Sequence, residues 1–263
     1  MRVLVCLKQV VDVTQIRVDS STGQLILSGI PRKISDFDKN ALEEAVKIKE
    51  KFGGEVVAVT VTSEDAKSTL REALAIGADK AYMIYDSALE NSDITVTTFV
   101  LAEAIKKLGN FDLILCGEAT IDGYSGQVGP RLAEILGIPV ITYARKIEIE
   151  NGSVTVERSL EDSTEVVRSK TPVLITVVRE INEPRIPSLM AIMKASKKEL
   201  NVWSLEDLGI PKEKVGLQGS VIKILEVKAP KVERKGIKIE GETPEEIADK
   251  LVKALMQEGV IGR

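Results

Sequence analysis

The chain has 263 residues, 44% of them hydrophobic and 29% charged, with a formal net charge of -4. It can bury a substantial core, and its charge balance argues against a nucleic-acid binder driven by phosphate neutralisation. Histidine is absent and there are two cysteines, Cys6 and Cys116, which argues against most hydrolytic triads and metal sites and leaves any redox chemistry to a cofactor.

Residues 1–7 read as a first buried strand rather than a leader. No apolar run approaches the ~20 residues that cross a bilayer, so a cytoplasmic protein without direct membrane insertion is expected. The pattern then predicts a helix over 39–52, a strand over 55–61, a helix over 63–76 and a strand over 80–84. A helix over 94–108 and a strand over 111–116 follow. Asp38 and Ser63 are the candidate N-caps, and Gly77 ends its helix where a residue tolerant of positive φ is needed. Such alternation implies a mostly parallel sheet with helices on both faces and ligands at the carboxyl ends of the strands.

The loop Gly117-Glu118-Ala119-Thr120-Ile121-Asp122-Gly123-Tyr124-Ser125-Gly126-Gln127-Val128 lies between the 111–116 strand and a helix that Gly137-Ile138-Pro139 stops. Its small residues would let free amides approach a phosphate at the positive end of that helix. Glycine alone is a weak signal here, because many strand-to-helix loops need it for geometry. No Walker-type Gly-Lys-Ser/Thr loop accompanies it, which weakens an ATP-using reading.

Past Pro139, period-two alternation on either side of Asn151-Gly152 predicts a β-hairpin at a sheet edge, and a further apolar strand is expected over 172–178. Beyond Glu180 regular alternation fades among Pro184, Pro187, Pro211 and Pro230, and the basic run Lys194-Ala195-Ser196-Lys197-Lys198 reads as a solvated helix end. Thr243-Pro244 opens a last helix whose Ile247, Leu251 and Leu255 need an apolar surface. The division expected is a nucleotide-binding domain over 1–180 and an extension over 181–263 that wraps a partner; the family resemblance below adds a recognition loop to that second part.

Four ordered motifs carry a family resemblance: Val5-Cys6-Leu7-Lys8-Gln9-Val10, Asp38-Lys39-Asn40-Ala41-Leu42-Glu43-Glu44-Ala45, residues 156–176 ending in Thr171-Pro172-Val173-Leu174-Ile175-Thr176, and Asn182-Glu183-Pro184-Arg185 through Leu189 to Ile192-Met193-Lys194-Ala195. Together they resemble the β subunit of electron-transfer flavoproteins along essentially the whole chain. The resemblance implies a Rossmann-like three-layer αβα domain paired with a homologous, FAD-holding α subunit. It also implies an electron-transfer role without a catalytic side chain of its own, and a nucleotide pocket formed by Cys6, the turn Ser35-Asp36-Phe37-Asp38, Val61 and the loop Gly117 to Val128.

In most relatives that pocket holds AMP. In a bifurcating subgroup it holds a second FAD that takes a hydride from NADH. Asp122-Gly123 and the Gly126-Gln127-Val128-Gly129-Pro130 run look more like the FAD-holding subgroup, with AMP as the alternative. Ser35-Asp36 replaces the family's usual Asn-Pro, and Tyr124 stands where a smaller or acidic residue is common. Pro187, Leu189 and Met190 match the loop that recognises a redox partner such as a dehydrogenase or quinone oxidoreductase, with Leu189 as the candidate anchor.

Overall fold

A computed structural model describes residues 1–19, 21–229 and 235–262. Pro230, named above, therefore lies outside the described residues. The chain divides into one unit of Met1–Arg17 with Leu25–Val227 and a second of Val18–Gln24 with Lys228–Arg263.

The strands are β1 (Arg2–Cys6), β2 (Gln9–Val11), β3 (Arg17–Val18), β4 (Leu25–Ile26), β5 (Arg32–Ile34), β6 (Glu55–Thr62), β7 (Lys80–Tyr85), β8 (Leu113–Gly117), β9 (Val140–Glu150), β10 (Ser153–Ser159), β11 (Thr164–Lys170), β12 (Val173–Val177) and β13 (Glu199–Trp203). The helices are α1 (Asp36–Phe52), α2 (Lys67–Ile76), α3 (Ile94–Leu108), α4 (Val128–Leu136), α5 (Leu189–Ala195), α6 (Gly216–Gly219) and α7 (Pro244–Gln257).

Nine strands form one sheet in the order β11-β10-β9-β12-β8-β1-β6-β7-β13. The seven from β9 to β13 in that order run parallel, and β10 and β11 add an antiparallel edge. Alternation along each strand builds the layers. Val3 and Val5 of β1 join Leu42 and Ala45 of α1 and Leu70 and Leu74 of α2 on one face. Leu4 and Cys6 join Val100 and Ile105 of α3 and Leu132 of α4 on the other. The fold is thus the expected Rossmann-like three-layer αβα sheet with an added hairpin.

The chain places β6 and β7 outward from β1 and then returns to lay β8 on the opposite side of β1. That reversal opens a crevice between the carboxyl ends of β1 and β8, the position where open α/β sheets bind ligands.

Several local expectations differ from what the fold holds. Helix α1 begins two residues before Asp38, with Ser35 as its N-cap residue, because the Asp38 carboxylate is used across the sheet rather than at the helix end. Helix α2 begins at Lys67, not Ser63, after Ala66 as N-cap residue. Gly77 ends it as expected, at φ 153°. Lys198 of the basic run is not a solvated end: its Nζ donates to Leu74 O at 2.9 Å and Ala78 O at 2.6 Å, satisfying carbonyls near the end of α2.

After Glu180 the chain is more regular than its sequence suggests. α5 packs on α2, and β13 pairs in parallel with β7 from Glu199↔Lys80 to Trp203↔Ile84, so part of 181–263 belongs to the main sheet. Strand β11 also escapes the sequence pattern, because all but two of its side chains are exposed and no apolar stripe marks it.

Within the second unit, α7 starts with the predicted cap. Thr243 Oγ1 accepts from Glu246 N at 3.2 Å, and Glu246 Oε2 accepts from Glu242 N at 2.9 Å. Ile247 and Leu251 are exposed.

Candidate cofactor site

At the crevice lies a cavity of about 470 Å³. Cys6 and Val61 come from the ends of β1 and β6, Cys116 and Gly117 from the end of β8, and Glu118, Ala119, Thr120, Gly123, Ser125, Gly126, Gln127 and Val128 from the loop into α4. Asp38 also lines it, beside Leu7 and Lys8. A second cavity of about 280 Å³ shares Lys8, Val61, Asn91, Ser92 and Thr97 with the first and is lined by Asp122 as well.

The remaining expected residues support the cavity from outside its wall. Ser35 is fully buried, and its Oγ accepts from Ile121 N at 3.3 Å. Phe37 meets the Tyr124 ring edge-on with centroids 5.9 Å apart. Asp36 is the exception: it lines neither cavity and pairs with Lys33 at 3.0 Å. The family difference at Ser35-Asp36 therefore lies behind the cavity lining.

Electrostatics divide the site. Asp38 Oδ2 accepts from Lys8 N at 2.8 Å and Oδ1 from Gly117 N at 3.0 Å, tying together the ends of β1 and β8. Burial pushes its carboxyl up to about 7 against the pull of those two amides. Lys8 Nζ pairs with Asp122 Oδ2 at 2.6 Å. Burial raises Glu118 as well, opposed by a hydrogen bond from Tyr124 Oη. The thiol of Cys116 is raised by its hydrogen bond with Cys6 and by burial, so it stays protonated and unreactive at neutral pH.

Loop geometry leaves donors open. Gly126 takes φ +63°, and the N-cap residue Gln127 makes no side-chain cap bond. Among the described residues the backbone N–H groups of Ser125, Gly126, Gln127, Val128 and Gly129 have no hydrogen-bond partner. Four of these, at Ser125, Gly126, Gln127 and Val128, belong to residues that line the cavity, at the start of a helix with no acid in its first turn, and offer donors to an anion. An adenine nucleotide fits this arrangement: amides for phosphate oxygens, and apolar walls from Val61, Leu101 and Val128 for a ring.

The same geometry lies within a recognised domain, for residues 22–208 match the electron transfer flavoprotein domain. This chain belongs to the electron transfer flavoprotein family, as a β subunit. It is 44% identical over 262 residues to the electron transfer flavoprotein subunit beta of Thermoanaerobacterium thermosaccharolyticum, covering 99% of this chain and all of the relative. It is 40% identical, with the same coverage, to the caffeyl-CoA reductase-Etf complex subunit CarD of Acetobacterium woodii, and 39% identical to the β subunit of Bacillus subtilis. A β subunit of this family serves electron transfer as a carrier. Among the described residues no helix is long and apolar enough to cross a membrane.

Sequence reasoning missed one wall. Asn91, Ser92, Asp93, Ile94, Thr97 and Leu101 at the start of α3, and Leu217, Ile222 and Ile224 after β13, also line the cavity. The only local signal was Asp93, a cap candidate directly before the 94–108 helix.

In the recognition segment, Leu189 and Met190 are 74% and 67% exposed. Pro187 lies in the irregular stretch before α5. Arg185 holds this segment to α1: its Nε and Nη2 donate to Glu43 at 2.8 and 2.9 Å, and its Nη1 donates to Glu50 at 2.5 Å.

Proposed function

We propose that this β subunit binds FAD, with AMP as the alternative, in the cavity between the ends of β1 and β8. On this reading it pairs with an electron transfer flavoprotein α subunit and passes electrons from a donor such as NADH to a redox partner by flavin-based bifurcation. The observation that carries the reading is the row of open amides from Ser125 to Val128, all in residues that line the cavity, which suits a phosphate group.

The two adjoining cavities favour a dinucleotide over a mononucleotide, because a diphosphate bridge can span compartments that share Lys8 and Val61. The flavin would supply the hydride and one-electron chemistry. The protein would orient the ring and hold the phosphates, Lys8 would face their charge, and no side-chain acid or base is required. Exposed apolar side chains on α7 suit burial by the α subunit. The redox partner would be a dehydrogenase or quinone oxidoreductase, and the CarD relative is named as part of a complex with a reductase.

Purified with its α subunit and denatured, the complex should release two FAD per heterodimer. One FAD with one AMP would select the AMP reading, and neither nucleotide beyond the α-subunit flavin would remove the site. Leu189→Ala should slow transfer to the redox partner while nucleotide content stays unchanged. Unaltered transfer would take Leu189 out of recognition.

A further inference from the structure

The wall that the sequence did not reveal has its own construction. Gly216 N donates to Ser92 Oγ at 2.9 Å, and Asp93 N donates to Ser220 Oγ at 2.8 Å. The Asp93 carboxylate caps α3 through Oδ1, which accepts from Val96 N at 3.0 Å. Its other oxygen accepts from both Val221 N at 2.9 Å and Ile222 N at 3.0 Å. One side chain thus closes a helix and fastens a strap 128 residues later in the chain.

Burial pushes the Asp93 carboxyl upward, yet the amides of Val96, Ile222 and Val221 outweigh it and hold the group below its ordinary value. At the near end the strap is fixed as well. Gly216 has φ +63°, and a Cβ there would lie 2.7 Å from Ala88 O, so only glycine fits.

The strap brings Leu217, Ile222 and Ile224 to the cavity while leaving them 55%, 54% and 76% exposed. Asp93 fixes the Val221–Ile222 backbone, and the three apolar side chains of this segment line the cavity while remaining largely exposed, which leaves apolar surface for a ligand to cover. A flat heteroaromatic ring entering the cavity would cover it, while the phosphate end of the same ligand would reach the amides of Ser125 to Val128.

We propose that residues 216–224 are a ligand-retaining strap: Ile222 and Ile224 cover the aromatic ring of the bound nucleotide, and Asp93 is the positioning residue that holds them there. This rests on the cavity being a nucleotide site. The strap would set how long a nucleotide stays rather than whether its phosphate is recognised, so its signature is the dissociation rate.

The test uses the αβ complex loaded with FAD or with AMP. Release from the β cavity into excess unlabelled nucleotide is followed by rapid gel filtration, with the α-subunit flavin counted separately. Ile222→Ala/Ile224→Ala together should release nucleotide on the order of tenfold faster. Asp93→Asn keeps an oxygen for the α3 cap but presents an amide nitrogen to the strap. It should also speed release, with faster hydrogen exchange at 216–224 and unchanged exchange in the body of α3.

Val227→Ala, at a side chain 60% exposed and outside both the strap and the cavity lining, should leave release unchanged. Folded variants that release nucleotide at the wild-type rate would overturn the strap while leaving the site intact. A wild-type β cavity that retains neither FAD nor AMP would overturn both.

Discussion

Helices α3 and α4 both begin at the cavity, and they begin in opposite ways. The first turn of α3 is closed by Asp93, whose oxygens take up amides of Val96, Val221 and Ile222. That of α4 has no side-chain cap and follows a run of unpartnered amides. Nothing about helix formation requires the difference, because either end could carry a Ser, Asp or Asn cap. A helix start that already carries a carboxylate of its own chain repels an outside anion, whereas one without a carboxylate can take it. Asp38 repeats the first solution at the strand ends, where it takes up the amides of Lys8 and Gly117.

The largest effect on this contrast is expected from Asp38→Asn, which turns an acceptor into a donor facing an amide. It should cost about 2–3 kcal/mol, read as a lower midpoint in denaturant. The wild type should also lose stability as pH rises from about 4 towards 7. A carboxyl raised to about 7 in the folded state holds a proton there that the unfolded chain has already released. Stability is then highest below the unfolded value, and the loss is complete above 7. The Asn variant should lack this component, and an unchanged pH slope between the two proteins would contradict the burial argument.

Gln127→Asp makes α4 resemble α3 by placing a carboxylate among the open amides. Nucleotide affinity of the αβ complex should fall on the order of tenfold or more, while thermal stability stays level or rises slightly. Equal affinity in titration calorimetry would separate the amides from the anion. Asp93→Ala makes the reverse change and should cost about 1 kcal/mol of stability through the lost cap. The smallest effect is expected for Lys8→Met. Lys8 is half exposed and already paired with Asp122, so nucleotide affinity should drop only a few-fold, with a weaker salt dependence.

The sequence by itself determined the parts that rest on consecutive residues. Alternating strand and helix periods gave the three-layer sheet. Asn151-Gly152 gave the hairpin, Thr243-Pro244 gave the start of α7, and the small residues before Pro130 marked a loop that lines the cavity. Each is a local signal, complete within a few residues of chain.

Tertiary structure alone decided the rest. Asp38 reads as a helix cap until the sheet brings the ends of β1 and β8 to its carboxylate. β13 reads as irregular until β7 offers it an edge. The cavity wall of Asp93, Leu217, Ile222 and Ile224 joins segments more than 100 residues apart. Such contacts leave no periodicity in the chain, because they depend on which strand the fold sets beside which, and that order is fixed by packing the whole core at once.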